Sequence, residues 1–199
     1  MTIAVIDGKI NLSIMDKPEK VRAYSIDNGQ IVSSDAKISK ISHGTLICKI
    51  IEQYGQYDEL ILIEVLKENN RGKIEDLLTA LTWCIDKDID IINLSIGTTD
   101  RNDFRVIEMV CMQLIRRGKI IIAANNNKGI FTMPSKMKEV ICVKRLKFIK
   151  TAFWNLKRNE IYVPGKILVC LKNNVLLKTN NSNSYACAYV TSLLSKAKV

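Results

Sequence analysis

The chain has 199 residues, of which 47% are hydrophobic and 25% are charged, and its formal net charge is +10. This composition excludes a disordered, collagenous or coiled-coil protein and supplies enough apolar side chains for one core, so we expect a single domain over residues 1–199. The basic residues are scattered and no nucleic-acid-binding motif accompanies them, which favours a solvated lysine-rich surface over a nucleic-acid partner.

Apolar runs alternate with helical periodicity along the chain. Thr2–Ile6 predicts a buried strand that ends at Asp7, and residues 11–40 predict short strands and loops. The later elements follow in order: a helix opening at His43, a strand over Glu59–Leu66, a helix over Ile74–Ile85, a strand over Asp90–Ile96, a helix over Phe104–Ile115, strands over Lys119–Ala124, Val140–Val143 and Ile167–Leu171, and a helix over Ser184–Leu194.

This alternation predicts an α/β fold with three layers, in which a mostly parallel sheet lies between helices on both faces. In such sheets the functional side chains gather at the carboxyl ends of the strands. Asp7, Ser95 and Asn125–Asn127 occupy such ends, so we expect them at one edge of the sheet.

The six cysteines form no Cys-x-x-Cys pair, and the chain has a single histidine. This inventory argues against a zinc site, and we expect no metal and no cofactor. We interpret the cysteines as reduced, mostly buried side chains of a cytoplasmic protein, although their even number leaves disulfides open. The start of the chain lacks a signal-peptide pattern and no apolar stretch reaches the length of a membrane span, so we expect neither a propeptide nor a membrane partner.

His43 stands in the segment Ser42-His43-Gly44-Thr45, directly before an apolar helix. A lone histidine is more often structural than functional. As a general base it needs an acid to orient the ring and a hydroxyl to deprotonate, and Asp7 and Ser184 offer these groups. Considered separately, Asp7 is equally well explained as a turn residue, and Ser184 is better explained as an ordinary helix N-cap.

Six short segments together resemble the subtilisin-like serine proteases, which share the chain order Asp, His, Ser. The similar segments are Ala4–Gly8 (aspartate motif), Ser42–Thr45 (histidine motif), Asp90–Gly97 (substrate-pairing strand), Ala123–Asn126 (oxyanion segment), Val163–Gly165 (Pro-Gly turn) and Ser182–Ala186 (serine motif). The resemblance runs from residue 2 to about residue 194 and implies a subtilisin-like fold for the whole domain.

The resemblance also implies a mechanism and a site. Ser184 attacks the scissile carbonyl, His43 accepts its proton, and Asp7 orients the imidazole. Asn126 and the backbone N–H of Ser184 stabilise the oxyanion. The substrate backbone lies extended along Ser95, Ile96 and Gly97.

Several positions depart from the family pattern. Ser182-Asn183 replace Gly-Thr before the nucleophile, Asn125 replaces the glycine before the oxyanion asparagine, and Cys48-Lys49 replace small residues after the histidine motif. Asparagine tolerates the left-handed backbone that glycine often supplies, so Asn125 need not distort its turn. No calcium site is identifiable from spacing.

Two functions remain open at this stage. The first is an endopeptidase of the cell interior that acts on a peptide or protein substrate, such as a ribosomally made precursor whose acidic leader the positive surface attracts. The alternative is a catalytically weak or inactive subtilisin-like module that binds a peptide or partner protein, which the altered serine motif favours. A homo-oligomer or a partner chain is compatible with both.

Overall fold

The structure is a computed structural model that describes residues 1–35, 41–67, 71–147, 149, 151–164, 166–172 and 174–197. Its strands are β1 (Thr2–Asp7), β2 (Val21–Asp27), β3 (Gln30–Ser33), β4 (Glu59–Glu64), β5 (Ile91–Leu94), β6 (Ile120–Ala124), β7 (Ile141–Leu146), β8 (Phe153–Asn155), β9 (Glu160–Pro164), β10 (Leu168–Leu171) and β11 (Val175–Lys178). The α-helices are α1 (His43–Tyr54), α2 (Ile74–Trp83), α3 (Phe104–Arg116) and α4 (Asn183–Ala197). Short 3₁₀ helices lie at Leu12–Ile14, Pro18–Lys20, Cys84–Asp86, Arg101–Asp103 and Leu156–Arg158.

The main sheet has the strand order β3-β2-β4-β1-β5-β6-β7-β9-β8. From β2 to β9 neighbouring strands in this order run parallel, whereas the edge strands β3 and β8 pair antiparallel with their neighbours. This topology confirms the predicted α/β fold with a mostly parallel sheet. The strand predicted at Ile167–Leu171 forms outside this sheet, because β10 pairs with β11 in a separate antiparallel hairpin.

Helices cover both faces of the sheet, as the alternation of side chains along a buried strand requires. Ile3 and Val5 of β1 belong to the cluster that includes residues of α1 and α4. Ala4 and Ile6 belong to the opposite cluster, which includes residues of α2 and α3. The central strands β1, β4, β5 and β6 are largely buried on both faces, and their sequences are mostly apolar.

The same alternation positions the end of β1. Asp7 lies two residues beyond Val5 and therefore faces the layer of α1 and α4. These two helices pack against each other, and they begin at His43 and Asn183 respectively. The fold thus directs the acid toward the two helices whose first residues carry the histidine and the serine.

Two sequence expectations concern the remaining parts of the chain. Pro164 ends β9, but Gly165 of the predicted Pro-Gly turn lies outside the described residues. Within the described ranges, every helix is too short or too polar to cross a membrane.

Candidate active site

The buried end of β1 holds an acid beside the sole histidine of the chain. Asp7 is fully buried, and its Oδ1 lies 2.7 Å from Nδ1 of His43. The same oxygen accepts a hydrogen bond of 2.7 Å from the backbone N–H of Gly8. Because a carboxylate only accepts hydrogen bonds, this contact assigns the ring proton to Nδ1 and leaves Nε2 as the basic nitrogen.

The charge of Asp7 controls the protonation of His43. Burial alone lowers the pKa of His43, but the hydrogen bond to Asp7 and the negative charge of its carboxylate outweigh burial, so this pKa lies above its ordinary value. The other carboxylate oxygen of Asp7 is buried and has no hydrogen-bond partner among the described residues. A carboxylate left with few donors gains stabilisation when the neighbouring imidazole becomes positive.

The residues around His43 attach the beginning of α1 to the chain that leaves β1. Ser42 caps the helix by accepting the backbone N–H of Thr45 at 3.0 Å, and its hydroxyl donates to the carbonyl oxygen of Lys9. The hydroxyl of Thr45 accepts the backbone N–H of Asn11 at 2.8 Å. The polar residues of the histidine motif therefore hold the ring in front of Asp7.

Gly44 is required for the same approach. A Cβ at this position would lie 2.3 Å from the carbonyl oxygen of Gly8 and 2.7 Å from that of Lys9. Distances this short exclude any side chain, so only glycine lets α1 begin against the end of β1.

A cavity of ≈ 590 Å³ opens beside His43, and segments distant in sequence line it. The sequence-predicted site residues among its lining are His43, Ser95, Ile96, Gly97, Asn126 and Ser184. Asp7 lies behind His43, so the structure brings every predicted site residue to one place. In the described part of the chain the Ser184 hydroxyl makes no hydrogen bond to His43, although both residues line the same cavity.

Tyr185 packs against the imidazole and was not singled out from the sequence. Its ring centroid lies 5.2 Å from that of His43, with a tilt of 39° between the planes. Burial, and then the charge of Asp7, raise the pKa of Tyr185, which keeps its hydroxyl neutral. The residue after the serine therefore packs as a neutral ring beside the imidazole.

Asn126 follows β6 and orients its amide through a local turn. Its Oδ1 accepts the backbone N–H of Lys128 at 2.8 Å. Because the oxygen is engaged in this turn, the –NH₂ group is the part of the amide that is left to donate into the cavity. A side-chain amide that donates to developing negative charge is the chemistry of an oxyanion hole.

The wall formed by Ser95–Gly97 continues into a short paired segment. Thr98 and Met133 exchange two backbone hydrogen bonds of 2.9 Å. A Cβ at Gly97 would lie 2.3 Å from the carbonyl oxygen of Met133, so this pairing depends on the absence of a side chain. Gly97 thus allows the two segments that enclose the cavity to meet.

This arrangement of acid, base, hydroxyl and amide agrees with a comparison against protein families, in which the model of the subtilase family matches residues 1–198. The chain belongs to the subtilase family. The family assignment confirms the resemblance that the short motifs indicated.

Sequence identity to an individual curated relative is low. The minor extracellular protease Epr of Bacillus subtilis is 28% identical over 143 residues, which is 64% of this chain and 20% of that protein. This subtilase therefore spans about a fifth of the length of that curated relative.

Solved structures show the same fold. The prenylagaramide maturation protease PagA is 20% identical, with a TM-score of 0.73 over 98% of this chain and 73% of that one. The epidermin leader peptide processing serine protease EpiP of Staphylococcus aureus is 14% identical, with a TM-score of 0.74 over 98% of this chain and 64% of that one.

The structure explains one departure of this subtilase from the family pattern, a lysine in α1 after the histidine motif. The side chain of Lys49 is fully buried, and its Nζ lies 2.6 Å from Oδ2 of Asp16 and 2.8 Å from Oε2 of Glu52. Glu52 also accepts the backbone N–H groups of Asp16 and Lys17, at 3.0 and 2.7 Å. Burial lowers the pKa of Lys49, but the two carboxylates outweigh it and raise this pKa, so the lysine stays charged and ties the loop after β1 to α1.

The second departure lies immediately before the serine. Asn183 is only 6% exposed and is hydrogen-bonded through both its side chain and its backbone. From the sequence we noted Asn183 only as a replacement of the usual threonine. No sequence signal identifies its partners, because they lie in β7 and in the segment after β6.

Proposed function

We propose that this chain is a serine endopeptidase with a triad of Asp7, His43 and Ser184. Asn126 and the backbone N–H of Ser184 form the oxyanion hole, and the substrate backbone binds along Ser95, Ile96 and Gly97. The observation that carries the proposal is the 2.7 Å contact between Asp7 and His43 at the edge of a cavity that Ser184 and Asn126 also line.

The acid–base chemistry follows from that contact. With the proton of the ring on Nδ1, Nε2 of His43 accepts the proton of the Ser184 hydroxyl as the oxygen attacks the scissile carbonyl. The buried carboxylate of Asp7 stabilises the imidazolium that results. The same imidazolium then protonates the leaving amine, and water repeats the sequence to release the acyl group.

The position of the serine favours the negative charge that develops on the substrate. Ser184 lies in the first turn of α4, a helix of 15 residues. The N-terminus of a helix carries partial positive charge, which stabilises a nearby anion. The backbone N–H of Ser184 lies in this first turn and donates to the hydroxyl of Ser182 at 3.2 Å. A substrate oxyanion that takes the place of that hydroxyl would receive this N–H together with the amide of Asn126, and these are the donors that acyl transfer requires.

The cysteines support two parts of this proposal: the nucleophile is a hydroxyl rather than a thiol, and the protein acts in a reducing compartment. All six cysteines are free, and none of them lines the cavity beside His43. Burial raises the pKa of Cys48 and of Cys187 well above the ordinary value, so both remain unreactive thiols. We therefore propose that the protein acts in the cytoplasm.

A narrow role in peptide maturation fits this molecule better than general digestion. PagA is described as a maturation protease and EpiP as a leader peptide processing protease, and both share the fold. The net charge of +10 attracts acidic chains at long range. We propose that the substrate is a ribosomally made precursor with an acidic leader.

Labelling with a fluorophosphonate tests the proposed nucleophile. We expect the parent protein to be labelled at Ser184, and Ser184→Ala to remain folded and unlabelled. Asn181→Ala changes an exposed residue three positions earlier and serves as the matched control, with labelling equal to that of the parent. A folded parent that takes up no label would contradict the triad and leave the peptide-binding module as the function.

Cleavage of precursor peptides tests the substrate class. Two precursors that differ only in whether the leader contains aspartate and glutamate or their amides are digested side by side at low and at moderate salt. We expect faster cleavage of the acidic form, and a smaller difference at the higher salt concentration because charges are screened there. Equal rates at both salt concentrations would exclude an acidic leader as the preferred substrate.

A further inference from the structure

The sheet changes its pattern where β6 and β7 separate. The two strands are in register up to Ala124 and Val143, and the backbone N–H of Asn125 donates to the carbonyl of Val143 at 2.9 Å. In a parallel ladder the next hydrogen bond would run from the N–H of Arg145 to the carbonyl of Asn125.

The side chain of Asn183 occupies the place of that hydrogen bond. Its Oδ1 accepts the backbone N–H of Arg145 at 2.9 Å, and its Nδ2 donates to the carbonyl oxygen of Asn125 at 2.8 Å. A carboxamide offers a donor and an acceptor in the same arrangement as a peptide group. The side chain therefore acts as a spacer that keeps both backbone groups paired while the strands move apart.

A second contact joins the same residue to the other side of Asn126. The backbone N–H of Asn183 donates to Oδ1 of Asn127 at 3.0 Å. Asn183 thus holds both neighbours of Asn126, one through its side chain and one through its backbone. It also directly precedes Ser184 in the chain.

We propose that Asn183 is a positioning residue that sets the distance between the amide of Asn126 and the hydroxyl of Ser184. This inference rests on the proposed function, in which Asn126 donates to the oxyanion that Ser184 creates. An oxyanion donor acts only if it lies at the right distance from the position that the oxyanion will occupy. Asn183 connects the segment that carries the donor to the helix that carries the nucleophile, and so it fixes that distance.

The chemistry of the side chain explains why asparagine stands here. Threonine, the usual residue of the family, ends in one hydroxyl on a shorter side chain and cannot span both Arg145 and Asn125. Alanine would leave a partly buried backbone N–H and a partly buried carbonyl without these partners. The carboxamide of Asn183 satisfies both groups, which compensates for the altered serine motif.

Steady-state kinetics of Asn183→Ala test the role directly. We expect kcat to fall about tenfold to a hundredfold, because a displaced donor stabilises the transition state less, while KM changes by less than about threefold. The matched control is again the exposed Asn181→Ala, with kcat and KM equal to those of the parent. A kcat of Asn183→Ala equal to that of the parent would overturn the proposal.

A double-mutant cycle distinguishes positioning from a general loss of structure. If Asn183 acts through Asn126, adding Asn183→Ala to Asn126→Ala should lower kcat by no more than about twofold beyond Asn126→Ala alone. If the fold-loss in kcat of the double variant equals the product of the losses in the two single variants, the two residues act independently, and positioning would be excluded.

Two further measurements keep the test decisive. If Asn183→Ala does not fold, Asn183→Thr replaces it, and we expect its kcat to lie below that of the parent by less than the loss expected for alanine. The acid limb of its pH profile should be that of the parent, because Asp7 and His43 are untouched. A kcat equal to that of the parent would overturn the proposal. Labelling of the parent by a fluorophosphonate separates the proposed protease function from the proposed positioning role of Asn183. An unlabelled parent refutes the proposed function, whereas a labelled parent and an Asn183 variant labelled at the same rate refute only the positioning role.

Discussion

The two halves of the candidate site are built in different ways. In the half formed by β1 and α1, Asp7 touches His43 directly, and Gly44 lets the backbones meet. In the half formed by β6 and α4, Asn126 and Ser184 are related through Asn183, whose side chain bridges a backbone group of β7 and one of the segment after β6.

This difference explains which family positions are retained and which have changed. Where one backbone must pass close to another, as at Gly44 and Gly97, a side chain has no room and the glycine remains. Where a segment needs its hydrogen bonds satisfied, as at Asn183, a side-chain amide serves in place of the usual residue. The glycines thus remain where space is lacking, and a different residue stands where hydrogen bonding is what the position requires.

We expect the largest effect from a substitution in the half formed by β1 and α1, which holds Asp7 and His43. Asp7→Asn should lower kcat about 10⁴-fold, because an amide donor next to Nδ1 favours the wrong tautomer of His43. The acid limb of kcat/KM should also move to lower pH, since Asp7 is what raises the pKa of His43 and only the neutral imidazole accepts a proton. A pH–rate profile of parent and variant measures both effects, and an acid limb that stays in place would contradict the role of Asp7.

We expect the next largest effect on activity from a substitution in the half formed by β6 and α4, with the Asp7–His43 pair left intact. Asn126→Ala should lower kcat by about 10²–10³-fold with little change in KM, because the amide is needed mainly in the transition state. The acid limb should stay where it is in the parent, since Asp7 and His43 remain paired. A comparison of the two pH–rate profiles checks this, and a loss below about threefold would remove Asn126 from the oxyanion hole.

A pair of glycine substitutions sharpens the comparison through stability. Gly44→Ala should cost at least about 3 kcal/mol, because its Cβ would overlap the backbone at the end of β1. Gly8→Ala is the matched control: its Cβ would meet Leu66 at ordinary contact distances of 3.6 and 3.7 Å, so the change should stay within about 1 kcal/mol. Urea unfolding followed by circular dichroism measures both, and equal losses would show that close approach is not the reason for Gly44.

Much of the fold could be predicted because the central strands are buried on both faces. β1, β4, β5 and β6 are mostly apolar, and all were predicted within a few residues of their observed ends. The edge strands were harder to identify. The edge strand β8 and its neighbour β9 were missed because β8 is only three residues long and mostly exposed, and β9 begins with a glutamate and ends with a proline. Pairing with a neighbour decides whether such a segment is a strand.

For the site, sequence reasoning selected the residues but not their connections. Ser42, His43 and Gly44 form a local motif, so they could be recognised without coordinates. The partners of Asn183 are 38, 56 and 58 positions away, and Asp16, one of the two partners of Lys49, lies in the loop after β1. Contacts of that separation depend on strand register and helix packing, which no local pattern encodes.

By itself, the sequence determined the class of fold, the family and the identity of the residues at the strand ends, because apolar periodicity and short motifs are local properties of the chain. Only the tertiary structure decided that Asp7 faces His43, that Gly44 and Gly97 permit close approach, and that Asn183 replaces a hydrogen bond of the sheet. Those features depend on distances between segments far apart in the chain, and packing of the whole core sets such distances.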